Sequence, residues 1–202
     1  MYRTIRENAE FEFTEKKSRF IGRAFYTPTE QAAKEALEAV RRGDPEARHH
    51  VFAYRIHAGD LSRMSDDGEP GGTGGAPVFN ALKMNDLQDV TVTVTRYFGG
   101  ILLGRGGLTR AYGRAAAGAL SAAGMAQVIP IAEFTVRCGY EKLGIVQAAV
   151  EKTDAEVVDR AFTDGVVLTV HATDETFAEL TAAFSEDPGV QFAFCGRHDA
   201  RR

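Results

Sequence analysis

The chain has no tryptophan, two cysteines, six prolines and no apolar run of membrane-spanning length. Each shortage closes off a class of protein. Cys138 and Cys195 are far apart and lack metal-type spacing, which argues against a disulfide scaffold and against a zinc site. Without an apolar stretch of about 20 residues no membrane helix is expected, and no membrane partner. Met1–Glu7 carries no apolar core of a signal peptide, so a cytoplasmic location is expected. No Gly-x-Ser-x-Gly elbow, no glycine loop ending in Gly-Lys-Ser/Thr and no Gly-x-Gly-x-x-Gly fingerprint occurs, which sets aside serine hydrolases, P-loop enzymes and dinucleotide-binding folds. With tryptophan missing, the 13 phenylalanines must supply most of the aromatic core.

What is present is an ordinary globular composition, 44% hydrophobic and 26% charged over 202 residues. That length suits one large or two small domains, with a core that needs no disulfide or metal. The net charge of −4 argues against a generic nucleic-acid binder. It hides an asymmetry, however. Residues 1–128 hold 17 Lys/Arg against 15 Asp/Glu, a net of +2, and residues 129–202 hold 7 against 13, a net of −6. A local basic patch is therefore open to the first part only.

The hydrophobic pattern predicts a strand over Ser18–Tyr26, a helix from Thr29-Glu30 to Gly43, a strand over His50–Ile56 and a short helix at 78–84. Val90–Thr95 alternates valine and threonine, as expected of a half-buried strand with its valines inward. A helix over about 107–123 follows, with Gly124 as its stop. Gln127–Pro130 reads as a boundary. Beyond it lie a strand at 133–138, a helix at 140–152, strands at 156–162 and 166–172, a helix at 174–184 and a strand at 190–195. The order βαββαβ within about 70 residues is that of a ferredoxin-like α+β unit. The tail from His198 is expected to fray. The expected fold class is α+β in two domains, 1–128 and 129–202. Both thiols are expected to be buried.

Two glycine-rich loops carry the chemistry. The first runs Ser65-Asp66-Asp67-Gly68-Glu69-Pro70-Gly71-Gly72-Thr73-Gly74-Gly75. The second runs Arg96-Tyr97-Phe98-Gly99-Gly100-Ile101-Leu102-Leu103-Gly104-Arg105-Gly106-Gly107 and enters a helix bearing Arg110 and Arg114. A strand, a glycine turn and a helix N-terminus make an anion site, because the first helical N–H groups lack partners and the helix dipole adds positive charge. Arg96 and Arg105 bracket the loop, and Arg110 and Arg114 share a helix face. Guanidinium groups beside free amides suit phosphate or carboxylate. A tight turn with solvated or acid-paired arginines is the competing reading. Asp66, Asp67 and Glu69 are candidate Mg²⁺ ligands or a general base. A turn built by Asx hydrogen bonds is favoured over metal binding, and no cofactor is otherwise implied. Thr73 is expected to bond within the loop. His49 and His50 point to opposite strand faces, so at most one joins a common site; His50 is the candidate, neither sits in a metal-ligand spacing, and a structural role is favoured over a catalytic one.

Ser65–Pro70 with Gly72-Thr73, Arg96–Gly100 with Leu103-Gly104, Gly107-Leu108 and Arg110-Ala111-Tyr112 together resemble the signature of the Impact family in its bacterial, YigZ-like branch. Lys17–Ile21 and His49-His50 match as well, and the resemblance covers almost the whole chain. It implies an N-terminal Impact domain with a fold like the second domain of a small-subunit ribosomal protein. It also implies a C-terminal ferredoxin-like domain resembling one of elongation factor G. The resemblance further implies a translation-related role, since the eukaryotic relative competes for the activator of a starvation-responsive initiation-factor kinase. Nucleic-acid binding has been suggested for bacterial members, and no catalytic residues come with the family. Gly71 and Gly74 stand where serine and alanine are common, and Val51 where cysteine is frequent.

Three functions are consistent with these residues. The favoured one is a binding module near translation, with RNA, ribosomal components or another phosphate-containing ligand at the loops and Tyr97 or Tyr112 as a stacking surface, although burial in the core is favoured for Tyr112. A Mg²⁺-dependent enzyme acting on a small phosphorylated compound is the alternative. The third is a protein-interaction scaffold using the acidic C-terminal part.

Overall fold

The computed structural model describes residues 1–201 and has an α+β architecture. Strands are β1 Tyr2–Ile5, β2 Ala9–Glu15, β3 Ser18–Tyr26, β4 His49–Ile56, β5 Leu61–Ser65, β6 Val90–Tyr97, β7 Met125–Cys138, β8 Glu156–Phe162, β9 Val166–Ala172 and β10 Val190–Arg201. Helices are α1 Glu30–Gly43, α2 Gly75–Met84, α3 Gly104–Ala123, α4 Leu143–Val150 and α5 Asp174–Ala183. The chain divides into two compact units, Met1–Val128 with Arg201, and Ile129–Ala200, and the division falls within β7.

In the first unit β2-β3-β6-β4-β5 form an antiparallel sheet. Its two faces follow from residue parity. Val51 and Ala53 of β4 and Val90, Val92 and Val94 of β6 point toward α2 and α3 and join their core. Phe52, Tyr54 and Ile56 point the other way and pack with Ala33 and Leu37 of α1. Thr29 caps α1 by accepting from the Ala32 amide, which satisfies one of its unpaired N–H groups. The valine side of β6 is inward as its pattern predicts, yet its threonines are fully buried too, because α1 covers that face. Thr91 is satisfied by Thr27 at 2.8 Å. The half-buried strand of the sequence reading is thus a strand buried on both faces, with hydroxyls serving where α1 leaves little room.

The alanine-rich face of α3 lies close to the sheet. A Cβ on Gly22 of β3 would stand 2.3 Å from the Ala115 carbonyl oxygen, so helix and strand backbones meet there directly.

In the second unit the sheet order is β10-β7-β9-β8, with α4 and α5 over one face. This is the 4-1-3-2 order of a ferredoxin-like βαββαβ unit. Phe134, Val136, Leu168 and Val170 fill its core. Two expectations need correction. As far as Arg201 the tail is not frayed: β10 runs to Arg201 and pairs with β7, and Arg202 lies outside the described residues. Cys138 is buried, but Cys195 is exposed on β10.

The close approach at Gly22 generates a prediction. Gly22→Ala is expected to cost about 1–3 kcal/mol, because backbone on backbone cannot relax by a rotamer change. Urea denaturation should show a lower midpoint at unchanged slope.

Candidate functional site

Parity also decides which loop residues meet. Arg96 continues the Val90, Val92, Val94 series and so emerges on the α3 side of the sheet; His49 continues Val51 and Ala53 to the same side. Their pairing is direct, since His49 and Arg96 are register partners across β4 and β6. The first glycine loop crosses above them and brings Glu69 down between them.

Glu69 is almost fully buried. Its Oε1 accepts from Arg96 Nη1 at 2.7 Å and from the Tyr112 hydroxyl at 2.7 Å, and His49 Nε2 stands 3.9 Å away. Arg96 also reaches Ser18 Oγ with Nη2 at 3.4 Å, while its buried Nε has no protein partner. Burial pushes the Tyr112 hydroxyl pKa far up, and the hydrogen bond to Glu69 and the carboxylate charge push the same way. Tyr112 is therefore a fixed donor to Glu69. Arg105 closes the opposite side by donating from Nη2 to the Gly71 carbonyl at 2.8 Å. Gly99 passes over the turn leading into β3 so closely that a Cβ would lie 2.0 Å from the Lys17 carbonyl. No other residue fits there.

The two loops thus enclose one cleft of about 360 Å³. Its polar and charged lining is Arg48, His49, Glu69, Arg96 and Arg105, and Phe98, Leu102 and Leu103 make its apolar wall. Phe98 is 45% exposed with the Arg96 guanidinium over its ring at 5.4 Å, and Leu102 is 81% exposed. The N-terminus of α3 opens here, with no side chain capping its first amides.

A model of the Impact N-terminal domain matches residues 16–120. The IMPACT family member YigZ of Escherichia coli (strain K12) is 37% identical over 85% of this chain and 85% of its own length. YvyE of Bacillus subtilis (strain 168), also described as an IMPACT family member, is 35% identical over 92% of this chain and 84% of its own. The chain belongs to the Impact family. A solved structure described as that of a hypothetical protein matches at 32% identity and a TM-score of 0.64, covering 96% of this chain and 97% of its own.

The family signature residues divide by task. Asp66 builds the first loop: Oδ1 accepts from the Gly74 and Gly75 amides and Oδ2 from Gly72, each at 2.8 Å. Asp67 accepts from the His50 amide at 2.7 Å. Thr73 bonds to the Pro70 carbonyl at 2.6 Å, within the loop. The groups of His, Cys, Asp or Glu close enough to share an ion, among the described residues, do not include Asp66, Asp67 or Glu69. Arg96 and Arg105 line the cleft with Gly104, whereas Arg110 and Arg114 are exposed on α3 and outside its lining; Arg114 lies over Phe13 at 4.2 Å. Gly99, Gly100, Gly106 and Gly107 shape the second loop and the first turn of α3. Tyr97 sits on the opposite sheet face, donating to Asp44 at 2.7 Å, and Tyr112 is fully buried, so neither offers a stacking surface to the cleft. His50 also lies on that other face, against Thr95 at 3.3 Å. The cleft histidine is His49. Sequence reasoning passed over it together with Phe98, Arg48 and Leu102.

A Cβ on residue 74 would stand 2.8 Å from Val51 Cγ2, so the valine at 51 leaves room for little but glycine at 74.

Two predictions arise. Glu69→Ala leaves the Arg96 charge buried and unpaired, and should cost about 3–5 kcal/mol; Arg110→Ala should stay within about 0.5 kcal/mol. Chemical denaturation compares them. Burial raises the Asp66 pKa, but the amides of Gly72, Gly75 and Gly74 and the charge of Arg105 outweigh it and hold it below the usual value. A depressed native pKa stabilises above the unfolded pKa and is lost on acidification. The stability gap between wild type and Asp66→Ala should persist from neutral pH to about 4, then shrink below it. A pH series of denaturation midpoints reads this.

Proposed function

We propose that the protein is a translation-related regulator that binds RNA, with a phosphate-bearing single-stranded segment lodged in the cleft between the two glycine loops. The cleft carries the reading. Three arginines face one buried carboxylate, and the exposed Phe98 ring stands beside them. Arg96 is largely neutralised by Glu69, which leaves Arg48, Arg105 and the open end of α3 to meet phosphate. Phe98 offers a π-face that any base can use, the arrangement that sequence-tolerant single-strand binders employ. The +2 balance of residues 1–128 agrees with this, and the −6 of residues 129–202 keeps the second unit away from a phosphate backbone. The relatives matched along most of the chain are named only as family members, and Protein IMPACT of Bos taurus is 37% identical over 62 residues. A cytoplasmic location belongs to the reading, because translation runs there.

An enzyme acting on a small phosphorylated compound is the second reading. It is favoured by His49 and Glu69 sharing the cleft at 3.9 Å. Its weakness is metal supply, since Asp66 and Asp67 are engaged by backbone amides.

Filter binding of single-stranded RNA across a salt series tests the proposal. Phe98→Ala should lose about 1–3 kcal/mol of affinity, and Arg48→Ala should flatten the salt slope by about 0.7. Salt-independent affinity, or wild-type binding by both variants, would overturn the reading. Binding of small phosphorylated compounds without RNA would favour the enzyme.

A further inference from the structure

The second unit holds a cluster unrelated to the glycine loops. Glu133 of β7 and His171 of β9 are register partners, so their side chains leave the same face of the sheet. The flanking residues Phe134 and Val170 turn into the core, which places Glu133 and His171 on the face away from α4 and α5. β10 pairs along the other edge of β7 and brings His198 to the same place. His171 Nε2 lies 2.8 Å from Glu133 Oε2, and the His171 and His198 rings meet edge-on at 4.5 Å. One ligand atom from each of the three residues lies within 4.8 Å of the other two.

The geometry points to a divalent transition-metal site held by Glu133, His171 and His198. Two imidazoles and one carboxylate are the donor set of many zinc sites that keep a position open. Imidazole nitrogen selects zinc, cobalt, nickel, copper or iron over magnesium and calcium, which take oxygen cages. Ligands about 2.1 Å from one ion stand at most about 4.2 Å apart, so small side-chain rotations close the set. The backbone is already in place, because three adjacent strands fix the three Cα positions. Glu156 of β8 is the register partner of His171 on its far side and adds a second carboxylate to the same face. His198 is exposed, and Glu133 and His171 are only partly buried, so an ion reaches the site from solvent without opening the core. The three residues all lie in the second unit, and the site stands whether or not the cleft binds RNA.

The test uses the untagged full chain carrying Cys195→Ser, which removes an exposed thiol on β10 as a competing ligand. Co²⁺ and Zn²⁺ are titrated by calorimetry, and the Co²⁺ complex is followed by its visible absorption. The expected result is one ion per chain, Co²⁺ bands of four- or five-coordinate geometry, and a thermal midpoint that rises with Zn²⁺. His171→Ala with His198→Ala should weaken binding at least about tenfold and remove the bands. His198→Ala alone, at an exposed position where folding is insensitive, should also weaken it. Mg²⁺ should not compete. Unchanged stoichiometry and affinity in His198→Ala, or no binding by the parent chain at micromolar metal, would overturn the proposal.

Discussion

The Glu69 carboxylate, buried between Arg96 and Tyr112, is the contact on which the organisation of the first unit's cleft depends. It joins three separate pieces of chain: the first glycine loop, the end of β6 and the middle of α3. A buried ion pair of this kind adds little net stability over an apolar replacement, yet loss of either partner leaves a charge without compensation. Its effect is therefore on position. Glu69 can be satisfied only when the loop crosses β6 at one place, and that crossing creates the space between the loops. Asp66 fixes the rest of the first loop through three amides, and the backbone contact of Gly99 with Lys17 fixes the second.

This arrangement explains the density of charge and glycine in the two loops. The acids are internal: one neutralises Arg96 and two hold backbone. With their charge absorbed, the residual character of the cleft is set by Arg48, Arg105 and the α3 amides, with an aromatic wall beside them. The cleft therefore has an acid at its floor and cations with Phe98 at its rim.

Much of this was legible in the sequence, for specific reasons. β3 and β8, and the main helices to within a few residues, follow from apolar periodicity and from the stops at Gly43 and Gly124. The βαββαβ order of the second unit did too. The short strands β1, β2 and β5 were missed. β2, with its sequence Ala-Glu-Phe-Glu-Phe-Thr-Glu, alternates well, but β1 and β5 are too short to show a period. The choice between His49 and His50 failed for a physical reason: β4 is apolar on both faces, so its pattern does not say which face meets the loops. β6 carried the answer, since its valines mark the α3 side and Arg96 follows them in parity while Tyr97 does not. The cross-strand meeting of Glu133, His171 and His198 was hidden because register between distant strands is not written in local pattern.

The central claim is that the cleft held by Glu69 is where the ligand sits. Amide chemical-shift mapping during titration with a single-stranded oligoribonucleotide tests it most directly. The account predicts shifts concentrated at Arg48, His49 and the stretch from Phe98 to Arg105, with the second unit unaffected. Shifts confined to residues of the second unit, or spread without preference over both, would contradict it.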